Sequence, residues 1–433
     1  MIRIRRLPQD DAGNGWLDGL PPRAPRPALK GDLRADVVVI GAGYAGLAAA
    51  RRLAELRPEA AIALVDAQDL AAGASGRNSG FAIDLHHLGT PHDAAWGRLS
   101  RAAIAALRGL VQRHRIGCDW SEVGKFHAAV TPRGKAEMLD AHAAALDRLG
   151  EDYEWLDADE LRARLGTGHF HAALYTRGTV LLNPAALTRG LGDSLPANVT
   201  LFENSPVLRA DFSGPVVVET PAGRIRADKA ILGVNGLVPQ FGFWRGRLLS
   251  IVTHASLTRR LTEAEHAALG GVAPWGVIPA HALAGITMRY TNDRRILIRQ
   301  SARFCPSLRQ SAARRAHIRA DHQRLFDQRF PALAGVPIAH SWAGYMCLSR
   351  DGSPAFGPVG PRVWTAACQN GIGITRATIG GMLAAEMALG EDNPLIGDML
   401  SLGQPPRVPP RPFLDLGARL HMALELRRNR HEA

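Results

Sequence analysis

The chain has 433 residues, too long for one compact core, and its 46% apolar and 21% charged content fits a folded protein of two closely packed domains. Its net charge of +12 comes from scattered arginines rather than a basic stripe interleaved with aromatics, which argues against a nucleic-acid reader and leaves a solvated surface, an anionic membrane or acidic substrates as its meaning. The four cysteines form no CxxC pair or metal-like cluster, no run of 18 apolar residues occurs and the start "MIRIRRLPQD" has no apolar signal core, so free thiols, no metal, no membrane span and a cytoplasmic location are expected.

Residues 11–35, rich in Pro, Gly and Asp, read as an extended arm. "VVVI" at 37–40 is a short buried strand, "GAGYAG" at 41–46 a glycine loop, "LAAARRLAEL" a helix stopped at Pro58, and "AIALVD" at 61–66 a second buried strand. Together they make a βαβ unit of about 30 residues, the size of a mononucleotide-binding half. A second glycine loop, "GASGRNSGF", follows at 73–81. From 93 to 150 two amphipathic helical stretches flank a strand, "GKFHAAVT". Residues 216–236 read as a β-hairpin running into a buried strand, with Gly223 of its "PAG" turn suited to a positive φ. "SIVTHASL" and "RRILIRQ" are strand-like, 311–330 is helical, and 363–390 is strand, glycine turn and helix. The chain ends in a basic amphipathic helix, "PFLDLGARLHMALELRRNR", which either packs on the body or lies on a membrane surface.

The first loop has the spacing GxGxxG. Gly41 permits a sharp turn, Gly43 leaves room for a pyrophosphate, and Gly46 lets helix and strand approach; Tyr44 and Ala45 open the helix whose free N–H groups face the phosphates. Asp66, with Ala67 after it, ends the second strand 20 residues past Gly46, where a carboxylate accepts the ribose hydroxyls of NAD or FAD and repels a 2′-phosphate. The second loop decides for the longer cofactor. Gly73, Ala74, Gly76, Ser79 and Gly80 offer main-chain N–H groups, Ser75 and Asn78 add side-chain hydrogen bonds, and Arg77 offsets phosphate or flavin charge. The third loop, Asn370, Gly371, Ile372, Gly373, Ile374 and Thr375, opens a helix whose dipole would stabilise negative charge on a reduced flavin.

These segments, with "IGCDWSEVGKF", "LLNPAALTRGL", "MRYTNDRRILI" and "HSWAGYMCLSRDGSPAFGPV" in the same order, resemble the FAD-dependent D-amino-acid oxidase/glycine oxidase superfamily over nearly the whole chain, most of all its γ-glutamylputrescine oxidoreductase-like branch. The resemblance implies an α/β fold: a Rossmann-like FAD-binding domain of separated segments (36–92, 150–240 and 340–400) and an α+β substrate domain with an antiparallel or mixed sheet (93–149 and 241–339). An arm (1–35) and a tail helix (401–433) flank them. It places the adenine end near Val207, Asn235 and Gly236. The implied reaction is oxidation of a C–N bond in an amine or amino acid, by hydride transfer to flavin N5 and hydrolysis of the imine, with oxygen or another acceptor taking the electrons. Relatives of the sarcosine-oxidase type have a carboxylate-binding Lys where Thr375 and Arg376 stand, an oxygen-activating Lys near the place of Leu297, and a flavin-linked Cys a few residues from Cys347. Non-covalent FAD is therefore expected. The candidate pocket residues are His86, His87, Arg289 and Tyr290, with Trp342 and Tyr345 as an aromatic wall and His254 beside them. An FAD monooxygenase and a flavin-binding electron-transfer or membrane-docked subunit remain as alternatives.

Overall fold

The computed structural model describes residues 1–9, 13–86 and 88–433. Five parallel strands form the centre of the first sheet, in the spatial order Val199–Phe202, Ile62–Val65, Gly31–Ile40, Gly223–Leu232 and Val363–Ala367. Val37–Ile40 and Ile62–Val65 are buried throughout, as strands covered on both faces must be. The strand begins at Gly31 rather than at Val37, because 31–35 pair with 223–227 although their polar sequence carries no buried-strand pattern. Antiparallel strands Arg209–Asp211 and Val216–Glu219 extend the sheet into a meander. Gly223 does not take the positive φ expected of it; its Cβ would stand 2.7 Å from the Gly31 carbonyl oxygen, so close approach is what excludes a side chain there.

Helices Tyr44–Leu56, Asp93–Arg113 and Gly373–Leu389 share one apolar cluster with this sheet, including Leu47, Leu53, Leu99, Leu107 and Leu383. Gly381 packs so tightly that a Cβ would meet the Ala45 carbonyl oxygen at 2.0 Å.

The second sheet has eight strands in the order Ile338–Leu348, Leu249–Thr258, Ile296–Phe304, Thr287–Tyr290, Trp275–Pro279, Lys125–Ala129, Ala172–Thr176 and Glu154–Leu156. All neighbours are antiparallel except Trp275–Pro279 with Lys125–Ala129. One face packs Met288 and Ile298 against Phe326 of helix Ala312–Arg329. The other turns Ala255, Leu257, Leu297 and Trp342 toward Trp16, Ala71 and Ala185 of the first layer.

Hydrogen bonding divides the chain differently from the expected segments. Glu154–Leu156, Ala172–Thr176 and residues 340–348 of strand Ile338–Leu348, expected in the cofactor domain, belong to strands of the second sheet. Helix Asp93–Arg113, expected in the substrate domain, packs in the first. The chain crosses between the two sheets at each of these points. The tail holds two helices, Pro394–Ser401 and Phe413–Arg428, the second lying along strand Ile296–Phe304.

Candidate active site

A cavity of ≈ 780 Å³ runs between the two sheets. Its first-layer wall is the three glycine loops, and its second-layer wall includes Thr253, Thr287, Arg299 and Met346.

Gly41 ends its strand at φ +97°, a conformation that leaves room for almost nothing but hydrogen, and a Cβ there would meet the Gly233 carbonyl oxygen at 2.9 Å. The helix Tyr44–Leu56 starts from an extended Gly43 that has no side-chain cap, so its N-terminal N–H groups open on the cavity. Ser75 Oγ accepts from the Tyr44 N–H at 3.1 Å and ties the first loop to the second. Gly41, Gly43, Tyr44 and Ala45 line the cavity; Gly46 stands behind them, where it sets the distance between backbones.

Asp66 lies just beyond strand Ile62–Val65. Its carboxylate accepts from the backbone N–H of Ala42 (2.6 Å) and of Gln68 (2.9 Å), one bond per oxygen, which leaves a lone pair on each for a ligand's hydroxyls. Burial pushes its pKa up to about 6 against the lowering effect of those N–H groups. A ribose binds the ionised form, so apoprotein should bind FAD progressively more weakly as pH falls below about 6, by up to about tenfold per unit. The sign for folding is opposite: a raised carboxyl means that apoprotein stability falls as pH rises from about 4 through 6. Flavin-fluorescence titration across this range checks the first statement, and Asp66→Asn should flatten the profile.

In the second loop Gly73, Ala74, Ser75, Arg77, Asn78 and Ser79 line the cavity. Two of these side chains shape the loop itself. Arg77 donates to the carbonyls of Ala72 (2.6 Å) and Ala343 (3.1 Å), so its guanidinium bridges the loop to strand Ile338–Leu348 while lining the cavity. Asn78 donates to Ser75 O and accepts from Gly80 N, closing the turn. Gly80 lies behind the wall at φ +76°, where a Cβ would meet Leu182 O at 2.1 Å.

The third loop follows the same logic. Asn370, at φ +50°, accepts from Ser349 N and donates to Gly352 O, stapling the turn. Gly371, Ile372, Gly373 and Ile374 line the cavity at the start of helix Gly373–Leu389, while Thr375 is fully buried and bonded to Ile83 O. Ala67, Val207, Asn235 and Gly236 also line the cavity, and Asn235 accepts from Cys368 N. Cys347 borders it too, but hydrogen bonding to Cys368 and burial push its thiol well above the ordinary value.

The expected pocket residues separate. His86 lines the cavity with Nδ1 3.2 Å from Arg376 Nη2. His87 lies outside the described residues. Arg289 is not in the cavity: it donates to the carbonyls of Gly80 (3.2 Å) and Leu182, lies over Trp16 at 5.2 Å, and burial lowers its pKa to about 10. It is a strut beneath the second loop. Tyr290 is on the opposite face, its hydroxyl 2.8 Å from His266 Nδ1, because one step along a strand reverses a side chain. Trp342 is 1% exposed and its indole N–H donates to Arg77 O. His254, also 1% exposed, does not reach the cavity, and its neighbours Thr253 and Ala255 do. Tyr345 borders the cavity but packs against Val252, Ala343 and Cys305, so the expected aromatic wall does not form.

What the sequence reading missed is Arg299. It pairs in register with Thr287 and Ala255, and all three line the cavity. Among the described residues, none hydrogen-bonds or ion-pairs with its guanidinium, and burial lowers its pKa. The available signal was an arginine inside the apolar strand "ILIRQ". Also missed were Ala418, His421 and Met422 of the last helix, which line the same cavity.

The cavity fits an extended dinucleotide: glycines where side chains would collide, a helix N-terminus beside them, and a carboxylate at the ribose position. A family model described as FAD-dependent oxidoreductase matches residues 36–387. Similar proteins include a probable oxidoreductase OrdL of Rhizobium meliloti, 28% identical over 402 residues and covering 88% of this chain and 90% of that one. The γ-glutamylputrescine oxidoreductase of Escherichia coli is 25% identical over 401 residues, covering 85% and 87%. In fold, the chain is similar to glycine oxidase from Geobacillus kaustophilus, with a TM-score of 0.71 at 20% identity over 83% of this chain and 96% of that one.

Proposed function

Because the chain belongs to the FAD-dependent oxidoreductase family, we propose that it oxidises a C–N bond in an amine or amino acid that carries a carboxylate, with FAD held non-covalently. When bound, FAD supplies the two-electron acceptor for this oxidation and passes the electrons to oxygen or another acceptor.

The observation that carries the substrate class is Arg299. A half-buried guanidinium lining a cavity, without an acidic partner among the described residues, is a site for a planar anion. Its strand is held on both sides by antiparallel neighbours, so the backbone that carries the charge is fixed before substrate arrives. Anchoring the carboxylate there orients the amine-bearing carbon, and orientation is the chain's main contribution to such a reaction. Leu283, Pro279 and Met346 add apolar lining that excludes water. The protonated Cys347 thiol suits a non-covalent cofactor. The four free, buried cysteines suit a reducing compartment, and the cytoplasm is the proposed location.

The test is anaerobic mixing of FAD-loaded protein with matched amines that have or lack a carboxylate, followed by visible absorbance. Bleaching by the carboxylated members and not by their partners is the expected result. Equal bleaching by both would remove the role of Arg299, and bleaching by neither would remove the reaction. Acid precipitation should release the flavin into the supernatant.

A further inference from the structure

The helix Phe413–Arg428 contains no buried residue, yet it is firmly placed. Inward, Ala418, His421 and Met422 line the cavity, and Glu425 lies 3.4 Å from His281. Beyond its end the buried Glu432 carboxylate accepts from Val130 N (2.9 Å), Thr131 N (3.0 Å) and Thr131 Oγ1 (2.6 Å). The helix is therefore a fixed cover over part of the cavity.

Its outward side has a different character. Phe413, Leu416, Leu420 and Leu424 are 70%, 71%, 56% and 44% exposed, and their spacing puts them on one stripe. With Leu426 they are five of the nine large apolar side chains that stand exposed among the described residues. Single exposed leucines are ordinary, but a continuous stripe marks a binding surface. The charges choose between occupants. Arg419 and Arg428 flank the stripe, Arg427 stands at its C-terminal end, and all three are exposed. The acidic groups of the helix are already paired: Asp415 lies 3.1 Å from Arg411, and Glu425 lies between His281 and Arg428, 3.8 Å from the latter. A second copy of a chain of net charge +12 would set arginines against arginines. An anionic bilayer offers acyl chains to the stripe and phosphates to the arginines.

We propose that this face docks on an anionic lipid surface, the helix lying in the plane of the interface while its inner side keeps covering the cavity. No helix among the described residues is long and apolar enough to cross a membrane, so the contact is one of surface attachment. The inference is independent of the substrate class.

The experiment is co-sedimentation of the full-length, FAD-loaded protein with phosphatidylcholine vesicles, with and without phosphatidylglycerol, at low and high salt. Binding that requires phosphatidylglycerol and weakens in salt is expected. Leu416→Ser/Leu420→Ser/Leu424→Ser should reduce it at least about tenfold. Arg419→Gln/Arg427→Gln/Arg428→Gln, which alters exposed side chains only, should reduce it by roughly fivefold per arginine with flavin content unchanged. Failure of soluble wild-type protein to co-sediment overturns the proposal, as does equal binding by wild type and both variants. Self-association that the serine variant abolishes, without vesicle binding, would also overturn it and assign the face to a second copy.

Discussion

Arg299→Met is expected to lower kcat/KM for a carboxylated amine by about 100-fold or more, while FAD content stays at the wild-type level. The estimate follows from removing one partner of a hydrogen-bonded ion pair that the bound substrate shields from water, which costs about 3 kcal/mol or more. The loss should fall mainly on KM if the carboxylate contact is equally strong in ground and transition states, and on kcat too where it sets the orientation of the reacting carbon. Arg299→Lys should recover only part of the activity, because an ammonium keeps the charge but not the two-pronged geometry. An amine without a carboxylate gives the internal control: its turnover should barely change. A second readout separates this role from a structural one. Among the described residues the guanidinium has no partner in the ligand-free chain, so removing this half-buried charge should leave Tm unchanged or raise it. A fall in both Tm and FAD content would mean that Arg299 supports the fold, as Arg289 does.

Gly46→Ala is expected to destabilise the protein by about 3 kcal/mol and to abolish stable retention of FAD. The added Cβ would stand 1.7 Å from the Gly41 carbonyl oxygen and 2.9 Å from its carbon, which are backbone atoms with no rotamer to move. Gly41 is in turn packed on Gly233, and a Cβ on Gly233 would meet the Gly46 N–H nitrogen at 2.9 Å. Helix Tyr44–Leu56 and the ends of two strands thus meet through three glycines. Any relief moves the helix N-terminus away from the position where its N–H groups face the cavity. Thermal melts and the flavin-to-protein ratio measure both consequences. Gly109→Ala is the comparison: it sits inside helix Asp93–Arg113 with nothing within 4 Å of the new Cβ, and should be neutral or stabilising by about 0.5–1 kcal/mol.

The cofactor half of this protein was legible in its sequence because it is written in local geometry. A turn that needs hydrogen in place of a side chain, a helix that begins within a few residues of a strand, and a carboxylate at the next strand's end are all short-range relations. Gly41, Gly43, Asp66, Ser75 and Gly373 each line the cavity. Relations across the sheet were not legible. Arg289 and Arg299 lie on the same face of the second sheet, and pleating alone cannot say which stands over the cavity. Lateral placement decides it: Arg289 falls over Gly80 and Leu182 and is taken up by their carbonyls, whereas Arg299 falls over open space between Thr287 and Ala255. Tyr290 failed by parity, one residue being enough to turn it to the helix-covered side. The strand Ile338–Leu348 and the helix Phe413–Arg428 owe their positions to partners about 90 and 120 residues earlier, Leu249–Thr258 and Ile296–Phe304. Pattern in the chain determined which backbone could cradle the cofactor; which side chains face the substrate was decided by non-local packing, since only the register and lateral order of distant strands fix where a side chain's free end arrives.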